Sequence, residues 1–139
     1  MGRVRQVGQS ADWALAAVVL VHLAISLVHG RAHAGALVAL SRAAAAFVYI
    51  VILAGPLLGL AASHWRPGAG AWIVTVSFAG SLVFGLVNHF VIPGPDRVDQ
   101  VAAQWRSVFG VTAALLIVSE SAGVAIGVRS ALRAVRRAA

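Results

Sequence analysis

Residues 107–128 read SVFGVTAALLIVSESAGVAIGV, an apolar run of 22 residues whose single ionisable side chain is Glu120. A helix rises about 1.5 Å per residue, so a run of this length reaches across the roughly 30 Å hydrocarbon core of a bilayer. Three further runs of the same character lie at Ala11–Val28, Ala43–Ala62 and Ala71–Ile92. Membrane strands are about ten residues long and alternate strictly, whereas these runs are much longer and do not alternate. With no water to satisfy the backbone in lipid, helices are the remaining solution. The expected fold is all-α: an integral membrane four-helix bundle, with residues 1–139 forming one transmembrane domain.

Composition agrees with this reading. Of the 139 residues, 60% are hydrophobic, against roughly 45–50% in soluble domains. All eleven basic side chains are arginines, and the formal net charge is +7. In a soluble chain that balance suggests nucleic acid. Here the arginines sit at the ends of the runs, where they orient a bundle and meet anionic headgroups, so the expected partner is the lipid bilayer. Arg3, Arg5, Arg66, Arg129, Arg133, Arg136 and Arg137 fall on one side; Arg31, Arg42, Arg97 and Arg106 fall on the other, beside Asp96 and Asp99. The richer side is expected to be cytoplasmic, with both termini inside, as in a multi-pass protein of the cell (inner) membrane.

Lysine and cysteine are both absent. That excludes a retinal-type Schiff base, a lysine nucleophile, disulfide exchange and thiolate metal ligation. A signal peptide is a competing reading of the first run, because Arg3 and Arg5 precede it and Ala32-His33-Ala34 resembles a cleavage site. The apolar stretch is long for a signal, and an uncleaved span is preferred.

Small residues mark the expected seams between helices. Gly55 and Gly59 form one GxxxG pair, Gly123 and Gly127 another, facing neighbouring helices or a second copy in a homodimer. Pro56 cannot donate to the carbonyl of Ile52, which predicts a kink and a carbonyl open to a partner side chain. Trp13, Trp65, Trp72 and Trp105 fall near run ends as interfacial anchors. After Pro93-Gly94-Pro95, Asp96 is placed to cap a short amphipathic helix through Arg106, or an extension of the fourth helix, with Val98, Val101, Ala102 and Trp105 on one face. The fourth helix is expected to continue past Val128 as a basic tail.

The polar residues inside these runs carry the functional reading. His22, Ser26, His29 and His33 are spaced four, seven and eleven apart, so they share one helical face. Ser77, Ser81 and Asn88 make a matching stripe on the third helix, with His89 beside it, and are expected to face the first. Glu120 shares a side with Gly123 and Gly127. Depth counting puts His22 and Glu120 within about 5 Å of one level near mid-membrane. A charge there costs about 2.5–3.5 kcal/mol and needs a proton, a cation or a partner. The expectation is an inner tier of His22, Glu120 and Ser26 and an outer tier of His29, His33, Asn88 and His89.

These tiers point first to a site that binds or relays a proton or a metal cation, with His22, His29, His89 and Glu120 as candidate ligands. Imidazole and carboxylate suit Zn, Cu, Ni or Fe. A second reading makes His29 and His89 the axial ligands of a b-type haem. A third makes the chain an accessory or scaffold subunit of a membrane complex, in which the same residues only join helices. No residue pattern for an intramembrane enzyme is present, and no catalytic residue is assigned. Four short spans with one membrane carboxylate resemble the small multidrug transporters, but their glutamate lies in the first helix, which argues against that family.

Overall fold

The computed structural model describes residues 12–138; Ala11, Arg3 and Arg5, which bear on the start of the first run and on its charge, lie outside them. Four helices are each long and apolar enough to cross a membrane: α1 Trp13–Gly35, α2 Arg42–Ala62 and α3 Pro67–Val91, and α4 Ala103–Ala138. The described residues contain no strand. α1 and α4 extend well past the ends of their apolar runs. The extension of α1 keeps His29 and His33 helical, and that of α4 carries the basic tail.

Local chemistry sets the ends. Asp12 caps α1 by accepting from the backbone N–H of Leu15 at 3.2 Å, and Ser41 caps α2 by accepting from Ala44 at 3.2 Å. Ser130 also donates to the Asp12 carboxylate, which ties the start of α1 to the end of α4. At its other end α1 closes through Leu37, whose φ of 56° is the left-handed value usually left to glycine.

α3 is the hub, and glycines let its neighbours approach. A Cβ on Gly59 of α2 would lie 2.8 Å from the backbone nitrogen of Val74. One on Gly70 of α3 would lie 2.3 Å from the nitrogen of Ser63. Gly55 faces Ser77, Gly123 faces the ring of Phe78, and Gly127 faces Thr75. Both GxxxG pairs are therefore used within the chain, against α3. At the end holding Asp12, a buried cluster joins Leu15, Val18 and Val19 of α1 to Ala71, Val74 and Phe78 of α3 and Ala131 of α4. At the other end, Ala32, Val101 and Phe109 form a second cluster.

Two helices widen locally into π turns. In α2 the segment is Val48–Ala54, just before Pro56, where the missing N–H disturbs the ladder. In α3 it is Val87–Val91, closed by Ile92 N–H donating to Val87 at 2.8 Å. Of the two expectations for Asp96–Arg106, α4 is extended only as far back as Ala103, and the separate helix is not formed: turns and bends fill residues 94–100. Its place is taken by tertiary bonds, since Val98 donates to the His89 carbonyl at 3.0 Å and the Arg106 guanidinium donates to the Val101 carbonyl at 3.2 Å.

The surface and interior are inverted relative to a water-soluble bundle. Leu20, Leu27, Ile50, Leu58, Val76, Val83, Val111 and Val118 are exposed, while His22, His29, Ser81, His89 and Glu120 are buried.

Candidate metal centre

The polar face of α1 meets α3 and α4 at two levels. At the inner level His22, 1% exposed, lies edge-on to Phe78 with ring centroids 4.8 Å apart. Its Nε2 is 3.2 Å from the carbonyl of Ile52, the group left open by Pro56. A carbonyl only accepts, so Nε2 carries the hydrogen and the neutral ring turns a bare Nδ1 inward. That Nδ1 is 3.8 Å from Oε1 of Glu120, which is 2% exposed. Ser26 Oγ lies 3.3 Å from the Nε2 of His22. Ser81 donates to Glu120 Oε1. His22 Nδ1 and Glu120 Oε2 are both buried with no hydrogen-bond partner among the described residues. Burying such groups bare is costly, and a proton, a water or a cation between them would relieve it.

The outer level holds three histidines. Ligand nitrogens of His29, His33 and His89 all lie within 4.8 Å of one another. Their hydrogen placement follows from the partners. Thr112 donates its hydroxyl to the Val108 carbonyl at 2.7 Å, within α4. It can then only accept from His29 Nδ1, 2.8 Å away, which leaves His29 Nε2 bare. His89 Nδ1 faces the carbonyl of Asp96 at 3.0 Å and must donate there, which leaves His89 Nε2 bare whenever that ring is neutral. These two bare nitrogens face each other at 3.2 Å, on rings only 7% and 6% exposed. Two lone pairs aimed together repel unless a positive charge lies between them.

A metal ion fits that gap. With metal–nitrogen bonds of about 2.0–2.1 Å, two ligands of a tetrahedral ion are about 3.3–3.4 Å apart. The outer bonds to Thr112 and the Asp96 carbonyl orient the rings as ligating imidazoles are usually oriented. His33 turns Nε2 to the Asp96 carboxylate at 3.3 Å, and its Nδ1 is buried without a partner among the described residues. The Asp96 Oδ1 is also 3.2 Å from His89 Nδ1. Both contacts are close in distance, although the oxygen has no well-aligned hydrogen bond. It therefore acts as a counter-charge behind the rings. Burial alone pushes the Asp96 carboxyl up; the close approach of His89 and the positive charge that His89, His33 and His29 carry when protonated outweigh that and hold it below its ordinary 3.8.

Haem b does not fit. Trans ligands on one iron would be about 4 Å apart, with a porphyrin between them. The His29 and His89 rings instead meet nearly edge-on, centroids 4.9 Å apart, with Phe109 packed 4.7 Å from His29.

The four candidate ligands lie at two levels: His22 and Glu120 pair at one, and His29 and His89 meet His33 at the other. Asn88 is not among them, because its amide donates to the Phe84 carbonyl at 2.8 Å. The π turn at Val87–Val91 turns His89 inward and leaves Asn88 outside the cluster. Ser77 and Ser81 also depart from expectation, since they face Gly55 of α2 and Glu120 of α4 and not α1. Thr112 and Asp96 were missed as contributors. Thr112 shares a helical face with Ser119 and Ser130, a stripe that could have pointed inward, and Asp96 reads locally as a cap. No family model, curated protein or solved structure matches this chain.

Proposed function

We propose that the chain is a multi-pass protein of the cell membrane that binds a transition-metal cation at His29, His33 and His89. In this reading the His22–Glu120 pair is a second polar station deeper in the bundle. The apolar exterior and polar interior support the membrane setting, since the arrangement suits lipid outside and ions within. The positive-inside rule puts both termini in the cytoplasm and the histidine cluster toward the outer face.

One observation carries the metal assignment: the Nε2 atoms of His29 and His89 oppose each other at 3.2 Å, while the one hydrogen of each neutral ring is taken by its outer bond. Three protein ligands leave a fourth position for water or an incoming ligand, as in sites that exchange their cargo or act on it. Imidazole favours Zn, Cu, Ni or Fe. His22 follows along the same face of α1, about 10 Å of helix rise from His29, with Glu120 of α4 beside it.

Zinc binding by the detergent-purified protein tests this. One ion per chain is expected, with binding lost in His29→Ala and His89→Ala variants that still fold. Equal binding by all three proteins, or none by any, contradicts the reading and leaves a shared proton or an inert joint between helices.

A further inference from the structure

Beside the shared end of the bundle, all four helices border one cleft of about 830 Å³. Its wall includes Leu15 and Ala16 of α1, Leu60 of α2 and Ala134 of α4, and its lining also carries Arg66, Arg133 and Arg137. All three arginines are exposed. None makes a hydrogen bond or ion pair to a side chain among the described residues.

The described residues offer these arginines no uncommitted carboxylate at this end. The chain's acidic side chains are Asp12, Asp96, Asp99 and Glu120. Asp99 pairs with Arg97 at 2.8 Å, Asp96 faces His33 and His89 at the far end, and Glu120 is buried against Ser81. Asp12 borders the cleft, but its two oxygens serve the cap of α1 and the bond from Ser130. Among the described residues, Arg66, Arg129, Arg133, Arg136 and Arg137 thus share this end with one committed side-chain carboxylate, which leaves them open to an anion from outside.

We propose that this cleft seats an anionic phospholipid, its phosphate held by Arg66, Arg133 and Arg137 and its glycerol and upper acyl segment against Leu15, Ala16, Leu60 and Ala134. Arginine matches phosphate through paired N–H donors. The apolar wall favours a lipid over a free anion, which needs no such surface. Trp13, on the rim and 78% exposed, has the amphipathic ring suited to the headgroup level. The site is separate from the histidine cluster and rests only on the membrane reading.

Native mass spectrometry of the full chain in detergent, with added phosphatidylglycerol or phosphatidylcholine of equal chain length, tests it. Phosphatidylglycerol is expected to bind preferentially. The preference should fall roughly fivefold for each of Arg66→Gln, Arg133→Gln and Arg137→Gln, and vanish in the triple variant. A double Arg31→Gln, Arg42→Gln variant, which changes charge at the far end, should keep it. Equal binding of the two lipids, an unaffected triple variant, equal loss in the far-end control, or displacement by equimolar inorganic phosphate each overturn the proposal. Alkaline carbonate extraction separates the failures. A chain washed from vesicles loses the membrane reading, whereas a carbonate-resistant chain without lipid preference loses this inference alone.

Discussion

Thr112 does its work through a hydroxyl committed to the Val108 carbonyl, which leaves it only an acceptor for His29. Thr112→Val keeps the shape and removes that acceptor, so zinc affinity should fall about 10–100-fold while the helix content is unchanged. Unchanged affinity in a zinc titration would mean that the ring is oriented by something else. Glu120→Gln has a different expected result. It should leave zinc affinity at the outer cluster within about twofold, because Glu120 belongs to the inner level, and it should abolish zinc-dependent flux in reconstituted vesicles. Flux equal to wild type would remove the inner station from the account. Asp96 supplies a pH dependence. Its folded pKa lies below the ordinary 3.8, so its contribution to stability is complete above that value and fades as pH falls through the lowered one. Asp96→Asn should therefore lower the melting temperature at neutral pH, modestly because the carboxylate is partly solvated, and the difference from wild type should shrink in strong acid. A gap that widens on acidification would reverse the assigned sign.

The helices were legible in their lengths and apolar content, and the stripe from His22 to His33 followed from spacing along one continuous helix. Register on α3 was not legible, because regular 3.6-residue counting fails across the π turn at Val87–Val91. Counting placed Asn88 in the cluster, and the wider turn turned His89 in and left Asn88 out. Likewise, the helix expected from Asp96 gave way to turns once His33 and His89 drew its carboxylate, a contact that local sequence cannot show. The glycine seams respond differently to an added methyl group. Gly70 meets the backbone at the end of α2, where a built Cβ would run into Ser63 N and Gly59 O, whereas Gly30 meets nothing within 4 Å. Gly70→Ala should destabilise the bundle by about 1–3 kcal/mol. Gly30→Ala should be neutral or stabilise by up to about 1 kcal/mol through helix propensity. Thermal denaturation of both variants checks the contrast, and equal effects would contradict the close approach of α2 and α3.

For the molecule as a whole, polar groups are drawn inward and apolar ones outward. Pro56 opens a carbonyl that orients His22, and turns after α3 supply the carbonyl that orients His89. Irregular backbone in α2 and beside α3 thus sets the hydrogen positions on which the site depends. The glycine pairs that suggested a second copy are occupied by α3, so any association between copies would use other surfaces. The proposed account predicts a cation at the meeting point of α1, α3 and α4, and X-ray absorption at the zinc edge of zinc-loaded protein tests it most directly. The account predicts nitrogen or oxygen neighbours at about 2.0–2.1 Å, with imidazole scattering that fits three rings and falls to two in His33→Ala. A purely oxygen shell without imidazole scattering, unchanged in that variant, would contradict it.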